Sequence, residues 1–156
     1  MKKYLKWTFG VLIAGFILLQ LTNPSHTNPP VARDFLAATM PPPEINTMFR
    51  SACYDCHSDE TKWPWYSRVA PVSWLVANDV IEGRKNLNLS EWPTDPLRAA
   101  KRVENMSEQI EYQDMPPKKY TLIHHDARLT ENQRKQMEDW LNAETARLKS
   151  SATAAK

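Results

Sequence analysis

The two cysteines of the chain, Cys53 and Cys56, are separated by two residues, and His57 follows the second one directly. Two thiols at this spacing can add to the two vinyl groups of a haem, and an imidazole beside them can reach the iron on the same face. The spacing therefore predicts one covalently attached haem c, with thioethers from Cys53 and Cys56 and with His57 as an axial iron ligand.

A Cys-x-x-Cys pair has three other common uses. The first is a structural disulfide. The second is a redox dithiol, which usually begins a helix after a strand, and nothing before Cys53 resembles a strand. The third is zinc, which needs four ligands, and the sequence has no second pair at finger spacing. The adjoining His57 favours haem attachment.

Met115 is the predicted sixth ligand of the iron. It lies before Pro116 and Pro117, which cannot continue a helix, so it falls in a loop of restricted backbone. A thioether suits haem iron, and His/Met ligation raises the reduction potential. His124 and His125 are the alternative ligands, and an open sixth position is a third possibility.

Four aromatic residues follow the cysteine pair closely. Trp63, Trp65, Tyr66 and Trp74 are predicted to pack against the haem. Ordinary burial in the core is the competing interpretation, because tryptophan is mostly buried in any case.

Composition points to a helical domain. Glycine is scarce, with 3 residues, and proline is plentiful, with 12, which favours helices joined by stiff loops. The net charge of +2 is too balanced for a nucleic-acid-binding face. We therefore expect an all-α domain wrapped around one haem, and no nucleic acid as a partner.

The N-terminus predicts a membrane anchor over residues 1–21. Lys2, Lys3 and Lys6 precede an uncharged stretch from Trp7 to Leu21. Such a stretch is typical of a short transmembrane helix or, alternatively, of a cleaved secretory signal. Positive charge before the helix predicts a cytoplasmic N-terminus. The expected location is thus the inner membrane, spanned once, with the C-terminal domain in the periplasm.

Proline-rich residues 22–42 are predicted to be an extended linker, residues 43–149 the haem-binding domain, and residues 150–156 a disordered tail.

Four helices are predicted within the domain. One begins at Pro43 and delivers Cys53 at its end. Another covers Pro71 to about Ile81, with Gly83 as its stop. Asp95 and Pro96 open a third, and a capping box of Thr130 and Gln133 opens the last.

Several short motifs resemble the bacterial haem-binding domain family, whose members are small, membrane-anchored proteins with one Cys-x-x-Cys-His. They are Cys53-Tyr-Asp-Cys-His-Ser58, Trp63-Pro-Trp-Tyr-Ser67, Ala70-Pro-Val-Ser-Trp74, Glu82-Gly-Arg84 and Ser90-Glu-Trp92. The resemblance covers about residues 43–144. It implies a cytochrome c-like helical fold and a covalent haem on Cys53, Cys56 and His57.

The leading hypothesis for function is one-electron transfer with a redox protein of unknown identity. The sequence shows no catalytic constellation beside the haem motif, so we expect an electron carrier and no enzyme. The alternatives are a haem sensor or peroxidase-like enzyme with an open sixth position, and a structural haem module in a larger respiratory complex.

Overall fold

The computed structural model describes residues 2–154, and over that range the chain is helical, as predicted. The described part has no β-strand and only an isolated bridge between Arg33 and Glu91. The helices are α1 (Lys2–Gln20), α2 (Phe35–Thr39), α3 (Pro43–Ala52), α4 (Tyr54–His57), α5 (Val72–Asn86), α6 (Pro96–Glu111), α7 (Lys118–Thr121) and α8 (Glu131–Ala154). Short 3₁₀ turns cover Trp65–Arg68 and His125–Ala127.

The prediction of a transmembrane helix over residues 1–21 is wrong, and so is the single-pass inner-membrane location that depended on it. No helix within residues 2–154 is long and apolar enough to span a bilayer. Helix α1 carries lysines in its first turns, so its uncharged part runs only from Trp7 to Gln20. At 1.5 Å per residue that part is about 21 Å long, against roughly 30 Å of hydrocarbon. Met1 lies outside the described residues.

The core forms where α6 and α8 pack on each other and where α8 packs on α3. Its centre is aromatic: the Phe35 ring lies edge-on to Phe49 at 5.1 Å and against Trp92 at 4.6 Å between centroids. Such pairs stabilise a core beyond their buried area. Aliphatic side chains from the long helices complete the core, namely Ala99, Ala100, Val103, Met106, Ile110, Met137, Leu141 and Leu148.

Local signals set the starts of the long helices, and these predictions are confirmed. The Asp95 carboxylate accepts from the backbone N–H groups of Leu97 and Arg98 at the start of α6. At α8 the predicted capping box is present: Gln133 N–H donates to Thr130 Oγ1, and Thr130 N–H donates to Gln133 Oε1. Each such cap stabilises a helix by about 1 kcal/mol.

Residues 22–42 pack on the domain instead of standing apart as an extended linker. Phe35 and Leu36 on α2 are buried in the core, where a phenylalanine contributes about 1.5–3 kcal/mol. Asp34 caps α2, and its Oδ1 also accepts a hydrogen bond from the Tyr54 hydroxyl at 2.6 Å. Upstream, Asn28 donates to Thr61 O at 2.9 Å. The boundary predicted at residue 43 therefore cuts through packed structure.

Helix α8 continues to Ala154, beyond residue 150, where the disordered tail was expected to begin. Leu148 packs into the core, and the following Ser-Ser-Ala-Thr-Ala residues have no proline or glycine that would end a helix. Residues 155 and 156 lie outside the described part of the chain.

Candidate functional site

The Cys-x-x-Cys-His segment forms one tight helical turn. Helix α3 ends at Ala52, and the N–H of Cys53 still donates to Phe49 O. Cys53 O then accepts from His57 N–H at 2.9 Å and from Cys56 N–H at 3.3 Å. This turn fixes the backbone that carries the two thiols and the imidazole, so the local sequence alone brings these three predicted residues together.

His57 is held in a single tautomer by the end of α5. Its Nδ1 lies 2.9 Å from Gly83 O and 3.0 Å from Leu87 O. Carbonyl oxygens only accept, so Nδ1 carries a proton, and in the neutral ring the lone pair is on Nε2. A carbonyl partner on the far ring nitrogen fixes the orientation of a ligand histidine. His57 is thus prepared to bind a metal through Nε2.

Gly83 lets α5 approach the cysteine turn closely. A Cβ added at this residue would lie 2.4 Å from Cys56 O. The prediction of Gly83 as a helix stop is wrong, since α5 runs on to Asn86. Glycine is needed here for contact between two backbones, and that contact is what places the Gly83 carbonyl against His57.

Arg84 joins the cysteine turn to residues 22–42, which we call the N-terminal segment. Its Nε donates to Ser58 O at 2.8 Å and lies 3.5 Å from Oδ1 of Asp59, which is buried. Its two Nη groups donate to Asn28 Oδ1 at 2.9 Å, Thr61 Oγ1 at 3.0 Å and Thr27 O at 3.2 Å. Arg84 belongs to one of the motifs found in the sequence, but its hydrogen-bond partners could not be predicted because they are distant along the chain.

A cavity of about 520 Å³ opens beside His57, and we call it the large cavity. Cys53, His57 and Met115 all line it. Its deep wall is apolar, formed by Phe49, Leu89, Met106 and Ile110, which are buried. Polar side chains complete the lining: Asn86, Arg102, Asn105, Glu108 and Gln109.

This lining fits a haem. The volume lies in the usual range for ligand and cofactor sites, and such sites combine an apolar wall with a few polar groups. A histidine with a free Nε2 and a methionine thioether form a known axial pair for haem iron. The donor set and the wall of the large cavity thus match an apolar macrocycle with a charged edge.

Met115 is held at two backbone atoms. Its N–H donates to Gln109 O at 3.2 Å, at the end of α6, and its carbonyl accepts from Arg134 Nη1 at 3.0 Å. The residue is half-buried. The loop between α6 and α7 thereby brings Met115 into the same cavity as His57.

A second, small cavity of about 190 Å³ is lined by Cys56, which does not line the large cavity. The rival ligand His124 is here, where its ring stacks on Tyr120 at 4.1 Å and its Nε2 pairs with the Tyr66 hydroxyl. His125 is exposed, and its Nε2 donates to Leu122 O at 3.2 Å. Both alternative ligands are therefore engaged outside the large cavity.

The predicted haem-packing aromatics are spread around the cysteine turn. Tyr66 lines the small cavity. Trp63 donates its indole N–H to Asn28 at 3.2 Å, and Trp74 donates to Thr22 O at 3.1 Å, so both contact the N-terminal segment. Trp65 is 78% exposed. Its ring packs edge-on against that of Tyr66, with 5.9 Å between the centroids. None of the four residues lines the large cavity.

The environment of the two cysteine thiols differs from that of a redox dithiol. Burial raises the pKa of the Cys53 thiol to about 12. Burial, with the negative charges of Asp79 and Asp55, raises the pKa of Cys56 to about 11. Redox dithiols have lowered pKa values instead. The two cysteines are not joined in a disulfide, and residues 2–154 contain no cluster of three His, Cys, Asp or Glu side chains that could hold a metal ion.

The cavity-lining polar residues were not found from the sequence. Arg102, Asn86 and Asn105 lie on helix positions that read as solvent-exposed. The sequence of α6 did hold an indication of their place, because Arg102 and Asn105 directly precede the buried Val103 and Met106 and so lie at the edge of the buried helix face. Only the tertiary structure shows that this edge of α6 lines the same cavity as His57.

Comparison with known proteins identifies the family. The family model of the haem-binding domain matches residues 14–143. The chain therefore belongs to the haem-binding domain family, and its cofactor is haem. The match includes residues 22–42, in agreement with their packing on the domain. No curated protein and no solved structure matches the chain, so the cytochrome c-like arrangement stays a prediction.

Proposed function

We propose that the chain binds its haem covalently through Cys53 and Cys56, ligates the iron with His57 and Met115, and acts as a one-electron carrier. The observation that carries this proposal is the shared lining of the large cavity, in which Cys53, His57 and Met115 meet. When bound, the haem iron supplies a one-electron ferric–ferrous couple.

The residues of the chain have separate roles in this proposal. His57 offers Nε2 because its Nδ1 proton is held by Gly83 O and Leu87 O. Met115 offers a soft thioether from a loop tied to Gln109 and Arg134. The buried side chains of Phe49, Leu89 and Ile110 exclude water from the deep wall. An apolar, low-dielectric wall favours the oxidation state with the smaller net charge.

Two filled axial positions suit electron transfer, because the ligands need not change when the iron gains or loses an electron. The partner in this proposal is a redox protein that gives or accepts one electron, and the chain itself has no catalytic step to perform.

Covalent attachment is tested by extraction. The chain is produced together with the machinery that attaches haem c, and is then denatured and treated with acid–acetone. The haem should remain on the wild-type chain and should be absent from the chain with both Cys53→Ala and Cys56→Ala. Release of haem from the wild type would show that the two thioethers do not exist.

A haem sensor or peroxidase-like enzyme is the second candidate. The half-buried position of Met115, on a loop held by two backbone contacts, favours it. Such a protein needs a sixth position that opens readily. Reduced wild-type protein exposed to carbon monoxide separates the two functions: a carrier resists the gas, and a sensor or peroxidase binds it at once.

A further inference from the structure

Arg102 is a charged group of the large cavity that the proposed function leaves without a role. It lies on α6, and its Nη1 donates to Glu91 O at 2.9 Å and to Asn88 O at 3.4 Å. Its guanidinium carbon stands 5.9 Å from the ring centroid of the buried Trp92. Backbone carbonyls and an aromatic face thus hold the side chain in one direction.

The guanidinium keeps donors to spare. Arginine has five N–H groups, and the contacts above use only Nη1. Within residues 2–154 the ion pairs of the carboxylates involve other cations, and Arg102 is the one lysine or arginine among the residues that line the large cavity. A partly buried cation that faces a cavity without a carboxylate partner is suited to bind an anion from that cavity.

We propose that Arg102 binds a propionate carboxylate of the haem. The inference rests on haem occupying the large cavity. A haem has an apolar macrocycle and carries two carboxylates at one edge, which matches a cavity with a buried apolar wall and polar residues along its outer part. The amides of Asn86 and Asn105 lie in the same lining and can donate to carboxylate oxygens.

This pairing has an electrostatic consequence. An uncompensated propionate would stabilise ferric iron, which carries one more positive charge than ferrous iron. Arg102 neutralises that negative charge and so keeps the reduction potential higher. Glu108 is the opposing charge in the lining, and its exposed position weakens its effect through solvent screening.

The test uses the full holoprotein with Arg102→Gln, which keeps a polar side chain and removes the charge. The midpoint potential should fall. At the potential where wild-type protein is half reduced, the ferric-to-ferrous ratio of the variant should be about fivefold higher, which is the size of effect expected for a partly exposed charge pair. The propionate bending mode in the resonance Raman spectrum should shift as well. Arg102→Lys should restore most of the potential but not the mode, because an ammonium cannot form two parallel hydrogen bonds.

Arg98→Gln is the matched control. Arg98 is exposed on the same helix, one turn earlier, and its loss removes the same charge without touching the cavity. Equal shifts of the potential in the two glutamine variants, with an unchanged propionate mode, would overturn the inference. If Arg102→Gln does not fold, an unshifted propionate mode in Arg102→Lys overturns it instead.

Failure of the proposed function would look different. Haem that is extractable from the wild type contradicts covalent attachment, and ready binding of carbon monoxide contradicts the six-coordinate carrier. The comparison of Arg102 with Arg98 needs only a haem in the large cavity, so it remains decisive in both cases.

Discussion

The two sides of the large cavity are built in different ways. On the His57 side, the imidazole is held by two carbonyls, α5 touches the cysteine turn through Gly83, and Arg84 ties that turn to the N-terminal segment. On the Met115 side, one loop is held at Met115 by one N–H to Gln109 O and by one donor from Arg134.

This difference indicates that the two predicted axial ligands are not equally replaceable. His57 is fixed by tertiary structure that forms around it, so displacing it would disrupt α5 and the N-terminal segment. Met115 lies on a short loop and is held there by two backbone hydrogen bonds. An electron carrier and a sensor or peroxidase with an open sixth position would therefore differ in how firmly Met115 is held.

The largest effect is expected on the His57 side from Arg84→Met. The change removes every hydrogen bond of the guanidinium and leaves the buried Asp59 without its cation. Breaking one partner of a buried pair costs about 3 kcal/mol or more. The free energy of unfolding, measured by urea denaturation of the holoprotein, should fall by that amount.

Lys85→Met is the control, because the neighbouring Lys85 is exposed and makes only an i,i+3 pair with Glu82. It should change stability by less than about 0.5 kcal/mol. If the Arg84 and Lys85 variants lost similar amounts of unfolding free energy, the contacts on the His57 side would not hold the structure more strongly than ordinary surface contacts do.

Gly83→Ala should come next. The new Cβ would overlap Cys56 O, so α5 must move away from the cysteine turn. Overpacking of this kind costs about 2 kcal/mol, partly offset by the better helix propensity of alanine. Thermal unfolding measures the loss. Gly15→Ala on α1, where a Cβ meets nothing within 4 Å, should leave the midpoint unchanged or slightly higher.

Arg134→Gln should have the smallest effect on stability, but it should clearly change how fast an added ligand reaches the iron on the Met115 side. It removes one hydrogen bond to Met115 O, worth about 1 kcal/mol. The ferric protein should then bind added imidazole faster, as followed by stopped-flow absorption. Lys135→Gln, which breaks only the exposed pair with Asp139, should bind imidazole at the wild-type rate. Equal rates in both variants would show that Arg134 does not restrain the loop.

The parts of this structure that local sequence controls were predictable. Asp95, Thr130 and Gln133 cap helices that begin where expected, because a cap acts within four residues. The cysteine turn also follows from its own spacing, since Cys53 O accepts from His57 N–H one turn later.

The parts that depend on distant packing were not predictable. The prolines of residues 22–42 suggested an extended linker, yet Phe35 is buried against Phe49 and Trp92. Gly83 resembled a helix stop, although its role is a close contact with Cys56. The error at the N-terminal helix has a different cause, because it does not depend on packing. The helix has an apolar stretch, but the lysines in its first turns leave an uncharged part that is shorter than the hydrocarbon thickness of a bilayer.

The central claim is that His57 and Met115 share one iron, and the ferric absorption spectrum tests it most directly. Wild-type protein should show the weak far-red sulfur-to-iron charge-transfer band and, once reduced, should resist carbon monoxide. Met115→Ala should lose the band and bind the gas while keeping its thioethers, and His124→Ala and His125→Ala should both match the wild type. A spectrum unchanged by Met115→Ala, with the sixth ligand lost in a histidine variant instead, would contradict the account.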